Sequence, residues 1–363
     1  MQDTLFPDDR SGKEFGKAPG KAALNKKLGQ SAVVDPQPPD AQYTQLATAL
    51  PARARLGTSS WNYPRWSGLV WDGDYTETQL SRHGLGAYAK HPLFSTVSID
   101  RAFYRPLTVQ QYAAYAAQVG DDFRFVVKAP ALVTDPTVRG DKGQSVQDNP
   151  TFLDAELAIE QFIQPALDGL GHKLGALVFQ ISPLPAALHG RMPEVLARLF
   201  AMLKALPALK EHAPDAIVAV EVRDALWLTP DFAAVLRDCG ATYCLSLHAK
   251  MPPIEGQLPM LRALWPGPLV CRWNLHRMHG AYGYDDAADL YAPYDKLVDV
   301  DLETRAVLAK VVAAITQAGH NAYVTVSNKA EGCAPLSVAG LAKEICSADA
   351  GLKVGDSADK TAR

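Results

Sequence analysis

Eight short apolar runs recur along the chain, and each ends on or next to a polar residue. They are rich in Val, Ile, Leu and Ala and lack the alternation of polar and apolar positions that marks a strand with one solvated face. Such runs are typical of strands covered on both sides, as in a parallel sheet. The runs occupy residues 56–60, 96–100, 123–128, 176–180, 217–221, 243–248, 269–274 and 322–327.

Amphipathic segments separate these runs and predict crossover helices. Thr108 stands before one segment as a candidate N-cap, and Thr229-Pro230-Asp231 combines a cap, a first-turn proline and an acidic residue. Strands and helices that alternate in this way indicate an α/β fold of one domain, a (β/α)8 barrel of the TIM type. Further helices are predicted over residues 152–167, 193–206, 302–318 and 336–345.

A doubly wound open sheet is the alternative fold. That fold usually carries a glycine-rich phosphate turn after its first strand, whereas residues 57–61 read Gly-Thr-Ser-Ser-Trp. We therefore expect a barrel over residues 51–347. Residues 1–50 are polar and rich in Lys, Asp and Pro and predict a flexible leader, and residues 348–363 predict a flexible tail.

The bulk composition narrows the functional classes. The chain has 363 residues, 48% hydrophobic and 21% charged, and its net charge of −3 argues against a basic surface for nucleic acid, which would enter only as a substrate. Five cysteines without Cys-x-x-Cys spacing favour a reducing cytoplasm over a disulfide framework or a zinc ribbon. Neither a signal peptide nor a membrane-spanning segment is expected.

Polar side chains follow almost every run. In a barrel of parallel strands the carboxyl ends meet on one face, where the loops build the active site. Lys128 and the arginines of this face outnumber the carboxylates of Asp100 and Glu221, so we expect a small anionic ligand that carries a phosphate, carboxylate or nucleotide group. The alternative is that these charges pair among themselves as a structural network. The candidate substrate-binding side chains are Ser59, Trp61, Tyr63, Arg101, Tyr104, Gln180, Arg223, Trp227, Arg272, Asn274 and Asn328.

The same face predicts metal-free acid–base chemistry. Glu221 is the candidate acid or base, with its pKa set by Arg223 and by burial, while Lys128 and Arg272 would hold the anionic group. A Schiff base on Lys128 is an alternative, because nearby cations lower the pKa of a lysine; a purely structural Lys128 is another. The long segments 129–150 and 275–301 are candidate lids that would exclude water.

A metal-dependent hydrolase or isomerase is the alternative enzyme class. Asp100, Glu221 and His248 could converge from three strand ends as ligands, and Asp100 and His248 are also candidate catalytic groups without a metal. No His-x-x-Glu or His-x-His pair accompanies them, and the neighbouring cations would oppose a divalent ion. We therefore expect no metal, and no cofactor motif is evident.

The strand-end motifs resemble those of one known family. Residues 57–66, Gly-Thr-Ser-Ser-Trp-Asn-Tyr-Pro-Arg-Trp, resemble the opening motif of the YecE-like family, the domain of unknown function numbered 72. Residues 98–105 resemble its Glu-x-Asn-x-Thr-Phe-Tyr-Arg motif, with Asp100 and Ala102 in place of the usual Asn and Thr. Residues 123–130, 174–183 and 221–227 resemble later motifs in the same order. The resemblance runs from residue 55 to 345 and implies a barrel but no particular reaction.

The leader predicts a non-catalytic alternative. Gln2, Leu5 and Phe6 resemble the Gln-x-x-Leu-Phe peptide with which bacterial replication and repair proteins bind the DNA sliding clamp. An apolar pair at the end of a polar leader has no nearby core to join, which suits a tethering peptide. The chain would then be a ligand-binding or accessory protein held at the clamp.

Overall fold

The predicted barrel is confirmed by the computed structural model, which describes residues 33–140 and 145–361. Eight strands pair in parallel and close into a barrel in their order along the chain. A separate antiparallel hairpin, Thr137–Arg139 with Ser145–Asp148, lies after the third barrel strand. The barrel strands are β1 (Ala54–Thr58), β2 (Thr96–Ile99), β3 (Arg124–Lys128), β4 (Leu174–Gln180), β5 (Ile217–Glu221), β6 (Thr242–Leu247), β7 (Leu269–Trp273) and β8 (Ala322–Val326).

Alternate residues of the strands fill the inside of the barrel. Successive side chains of a strand point to opposite faces, so the residue two positions beyond an interior residue also points inward. The interior cluster is apolar and consists of Val126, Ala176, Val178, Ile217, Ala219, Cys244, Val270 and Tyr323. The residues that continue it toward the carboxyl ends of β3 to β7 are polar, namely Lys128, Gln180, Glu221, Ser246 and Arg272.

The remaining strand side chains face the helices. Val127, Leu177 and Val220 belong to the larger core between the sheet and its helical shell. Both faces of each strand are therefore covered, which explains why the sequence runs lack a polar alternation.

Helices surround the barrel, and the predicted caps are confirmed. Thr108 Oγ1 accepts a hydrogen bond from the Gln111 backbone N–H at 3.3 Å, and Thr229 Oγ1 accepts one from the Phe232 N–H at 3.2 Å. A π-helical turn, Ile159–Ile163, interrupts the helix after the hairpin. The α-helices are Ala41–Ala49, Glu77–His83, Leu85–Tyr88, Val109–Ala116, Ala131–Thr134, Ala155–Ala158, Gln164–Leu170, Ala186–His189, Met192–Ala205, Pro230–Asp238, Ile254–Ala263, Tyr284–Tyr291, Leu302–Gln317 and Ala334–Thr361.

The chain is ordered well before residue 51, in contrast to the leader predicted over residues 1–50. Val34 is buried, and the Gln37 backbone N–H donates to the Val70 carbonyl at 2.9 Å. Asp40 then caps the helix Ala41–Ala49. The helix packs on the core through Tyr43 and two further apolar residues, and the surrounding polar residues obscure that short stripe in the sequence. Gln2, Leu5 and Phe6, the candidate clamp-binding residues, lie outside the described residues.

The end of the chain also differs from the predicted tail. The last helix, Ala334–Thr361, runs on through residue 348 without a break. Asp349 is buried on it and accepts a hydrogen bond from Gln317 Nε2 at 3.0 Å. Its ion pair with Lys353 adds a second contact across one helical turn. Within the two described ranges, no helix combines the length and the apolar character needed to cross a lipid bilayer.

Gly57→Ala is expected to destabilise the barrel by about 3 kcal/mol or more, the upper end of the cost of overpacking. Gly57 pairs with Thr96 of β2, and a Cβ atom at this position would lie 1.8 Å from the Thr96 carbonyl oxygen. Only a shift of the two strands could relieve this clash. Urea unfolding measures the loss. Gly120→Ala is the control because its Cβ would meet nothing within 4 Å, and equal unfolding curves for both variants would refute the argument.

Candidate active site

The charged layer at the top of the barrel is organised around Glu221, the last residue of β5. Its side chain is fully buried, and Oε1 lies 2.7 Å from Arg223 Nη2 while Oε2 lies 2.6 Å from Arg272 Nη1. Oε1 also accepts hydrogen bonds from Ser246 Oγ at 2.9 Å and from Asn274 Nδ2 at 3.4 Å. Both carboxylate oxygens are therefore occupied by donors that the protein itself supplies.

Arg272 joins this carboxylate to other strand ends. Its Nη2 lies 2.5 Å from Oδ2 of Asp100, and Asp100 Oδ1 accepts a hydrogen bond from Ser98. Gln180 Oε1 accepts from Arg223 at 3.1 Å and from Arg272 at 3.3 Å. Two arginines and two carboxylates thus form one hydrogen-bonded network between the ends of β2, β4, β5 and β7.

The network fixes the charge state of its members. Burial alone would raise the pKa of Glu221, but the charges of Arg223 and Arg272 outweigh it and lower this pKa to about 2. Burial would lower the pKa of Arg272, but Asp100 and Glu221 reverse that effect and hold it above its ordinary value. These groups remain ionised at neutral pH, and their charges cancel.

Lys128, at the end of β3, adjoins this network without being paired by it. Its Nζ lies 3.5 Å from the centre of the Phe103 ring, and it makes no hydrogen bond or ion pair with any residue that the structure describes. Burial, followed by the charge of Arg272, lowers the pKa of Lys128 to about 7, although Asp100 acts in the opposite direction. The residue as a whole is partly exposed.

His248 follows β6 and lies under the predicted lid, residues 275–301. Burial, followed by the charge of Arg223, lowers the pKa of His248 to about 3, so the ring is neutral at physiological pH. Nδ1 accepts a hydrogen bond from the Lys250 backbone N–H at 3.0 Å, which places the ring proton on Nε2. The Tyr284 ring of the lid lies 5.2 Å from the His248 ring.

The segment 275–301 rests on several loops of the mouth. Besides the Tyr284–His248 contact, the Tyr294 ring meets the Tyr63 ring edge to face, with 5.7 Å between their centres. Lys329, which follows β8, places Nζ 5.1 Å from the centre of the Tyr284 ring. The segment therefore contacts the loops after β1, β6 and β8.

Three residues predicted to bind substrate make packing or hydrogen-bond contacts within the protein. Trp61 is only 6% exposed and lies edge-on to Tyr115, and the Arg101 guanidinium donates to the Tyr115 hydroxyl at 2.9 Å. Trp227 is fully buried against Phe232. Both indole rings fill space between strand ends and helices, and the burial of large apolar rings accounts for that placement.

The other candidates lie around the network and differ in their exposure and in their hydrogen bonds. Tyr63 is partly buried, whereas Tyr104 is 81% exposed. Ser59 Oγ is buried and has no hydrogen-bond partner among the described residues. Asn328 Oδ1 accepts from the Ala334 backbone N–H at 2.8 Å and so supports the start of the last helix.

In the described part of the chain, no three His, Cys, Asp or Glu side chains converge as metal ligands. Two of the three candidate ligands, Asp100 and Glu221, hold Arg272 between them instead. The third, His248, uses Nδ1 to accept a backbone hydrogen bond. Each of the three candidate ligands is thus engaged by another group of the protein.

Sequence reasoning missed three contributors to the site. Ser246 stands two positions after the interior Cys244, so the alternation along β6 could have identified it. Phe103 and Tyr284 reach the mouth from loops, and no periodic pattern marks a loop residue that turns inward.

Glu221→Gln is expected to reduce the free energy of unfolding at pH 7 by about 3–5 kcal/mol, the usual cost of breaking a buried ion pair. The change removes the negative charge that balances the buried guanidinium groups of Arg223 and Arg272. Because the pKa of Glu221 falls from 4.5 to about 2 on folding, its stabilisation is present above pH 4.5 and is lost as the pH falls toward 2. Urea unfolding between pH 7 and pH 2 should show the wild-type and variant curves converging.

Glu194→Gln is the matched control for this variant. It removes the Arg191–Glu194 pair, in which both side chains are about 60% exposed, and little change in stability is expected. Equal losses at the two sites would contradict a special role for the Glu221 network.

Comparisons with known proteins agree with this architecture. The family model described as "Protein of unknown function DUF72" matches residues 55–361. A solved structure of a DUF72 family protein from Enterococcus faecalis is 18% identical with a TM-score of 0.51, and the match covers 80% of this chain and 95% of that one. A DUF72 family protein from Thermotoga maritima is 20% identical with a TM-score of 0.48, covering 80% and 98%. No curated protein matches the chain.

Proposed function

The chain belongs to the YecE-like family, DUF72, and we propose that it is an enzyme that acts on an anionic substrate at the carboxyl face of its barrel. Enzymes with this fold build their sites on that face, and the charged layer lies there. The substrate class we infer carries a phosphate, carboxylate or nucleotide group.

The charge balance around Lys128 carries this proposal. Arg223 and Arg272 are matched by Glu221 and Asp100, so the network itself has no surplus charge. Lys128 adjoins the network and has no partner among the described residues, so it supplies the local positive charge. A bound anion would raise the pKa of Lys128 and hold it as an ammonium ion.

We assign Glu221 a positioning role in place of acid or base chemistry. Its two oxygens are occupied and its low pKa keeps it ionised, so it holds Arg223 and Arg272 in place. His248 is neutral and keeps an N–H on Nε2, which suits a hydrogen-bond donor to substrate. The contacts of segment 275–301 with the mouth support its role as a cover that excludes water.

Lys128→Met is expected to weaken the binding of inorganic sulfate by about 10-fold or more at pH 6, the loss typical of a hydrogen bond to a charged group. Sulfate keeps its charge between pH 5.5 and 9, so only the protein titrates. Because the pKa of Lys128 is about 7, wild-type affinity should fall as the pH rises through 7. Isothermal titration calorimetry across this range measures both effects.

Lys310→Met, at an exposed position of the helix Leu302–Gln317, is the matched control and should bind sulfate as the wild type does. The anion site is refuted if Lys128→Met leaves the sulfate affinity unchanged, or if the wild-type affinity does not change with pH.

The clamp-tethered alternative remains a prediction from the sequence, because Gln2, Leu5 and Phe6 lie outside the described residues. It is tested by a pull-down with purified sliding clamp. Binding lost in the double variant Leu5→Ala/Phe6→Ala would support it, and equal capture of both proteins would exclude it.

A further inference from the structure

Lys128 differs from Lys173 in having no hydrogen-bond acceptor among the described residues. Lys173 is similarly shielded, and its Nζ donates to the carbonyl oxygens of Ala116 at 2.9 Å and Val119 at 2.8 Å. The Nζ of Lys128 instead faces the Phe103 ring at 3.5 Å, and the residue is partly exposed at the end of β3. An aromatic ring offers no donor that would occupy the nitrogen lone pair.

A carboxylate stands next to this amine. Ile99 of β2 pairs with Val127 of β3, so the next residues, Asp100 and Lys128, occupy neighbouring positions at the strand ends. Arg272 and Ser98 hold the Asp100 oxygens in place, yet the Asp100 side chain remains 34% exposed. Asp100 makes no direct hydrogen bond or ion pair with Lys128, so a proton would pass between the two groups only through water.

From this geometry we propose that Lys128 forms a Schiff base with the carbonyl group of an anionic aldehyde or ketone. The inference rests on the proposed function, since the ligand must first bind as an anion at the same mouth. It narrows the substrate class to anions that also carry a carbonyl group, such as 2-oxo acids and sugar phosphates.

The reaction balances without an oxidant or a reductant. The Lys128 ammonium first releases a proton to water, and the nitrogen lone pair then attacks the carbonyl carbon while the carbonyl π electrons move to oxygen, which takes up a proton from water. Water next carries a proton from the nitrogen to the hydroxyl group, so that the C–O bond breaks and a water molecule leaves. The product is a C=N bond whose protonated nitrogen carries the same positive charge as the ammonium form of Lys128.

That retained charge explains why an anionic carbonyl compound suits this site. The four network charges cancel before and after the condensation, and the iminium ion continues to attract the anionic group of the ligand. The pKa of about 7 supports the step, because about half of the Lys128 side chains are then neutral at pH 7, a much larger fraction than for an ordinary lysine.

The experiment is reductive trapping on the full chain. Wild-type protein is incubated at pH 7 with sodium cyanoborohydride and with D-glyceraldehyde 3-phosphate, pyruvate or uncharged D-glyceraldehyde, and modified lysines are located by peptide mass spectrometry. We expect the secondary amine that marks a reduced imine to form on Lys128 about 10-fold or more faster than on the exposed Lys310. The phosphorylated aldehyde should modify Lys128 faster than glyceraldehyde does. Lys128→Arg should abolish this adduct, whereas Lys310→Arg should leave the Lys128 adduct unchanged.

The failures of the two proposals can be told apart. If sulfate binds but neither anionic probe modifies Lys128 faster than Lys310, the Schiff base is overturned and the anion site stands. If glyceraldehyde modifies Lys128 as fast as the anionic probes do, the restriction to anionic carbonyl compounds is overturned. If the wild type does not bind sulfate at any pH, the proposed function itself is overturned.

Discussion

Two guanidinium groups lie inside the mouth of this barrel because one buried carboxylate faces both of them. An unpaired charge in such a place would cost several kcal/mol, so the positions of Arg223 and Arg272 depend on Glu221. The second carboxylate, Asp100, reaches Arg272 from the end of β2, across the mouth from β7. The network joins side chains from separate strands, so it can form only when the barrel closes in the observed order.

The mouth consequently has two chemically different sides. From β4 to β7 the polar side chains hydrogen-bond one another, as Gln180 does in accepting from both arginines, although the Nε atoms of Arg223 and Arg272 have no partner among the described residues. At β3 Lys128 instead meets an aromatic ring. The charged pairs set the electrostatic field, and a ligand that reaches Lys128 would add hydrogen bonds that the protein does not make.

Sequence reasoning could predict the barrel and the layer of polar strand ends because both follow from local patterns. Apolar runs predict the strands, and the polar residues that end each run predict the polar layer. Pairing among those ends could not be predicted, because it depends on which side chains meet across the closed barrel. The sequence therefore suggested a positive surplus shared by Lys128 and the arginines, whereas the structure leaves that surplus on Lys128. The packing of Trp61 could not be predicted for a related reason, since a tryptophan after a strand fits a ligand face and a packed core equally well.

Stability alone does not account for the charged layer. Replacing a buried ion network with apolar residues of similar volume is often neutral or stabilising, and the layers below show that this barrel packs Val, Ala and Ile without difficulty. Burial is the largest cause of the lowered pKa of Lys128; Arg272 and Arg223 lower it further, while Asp100 and Glu221 act in the opposite direction. What an apolar plug could not do is place charges of both signs beside this amine. Under the proposed function, the network would hold those charges around the lysine that binds the anion, a role that packing does not supply.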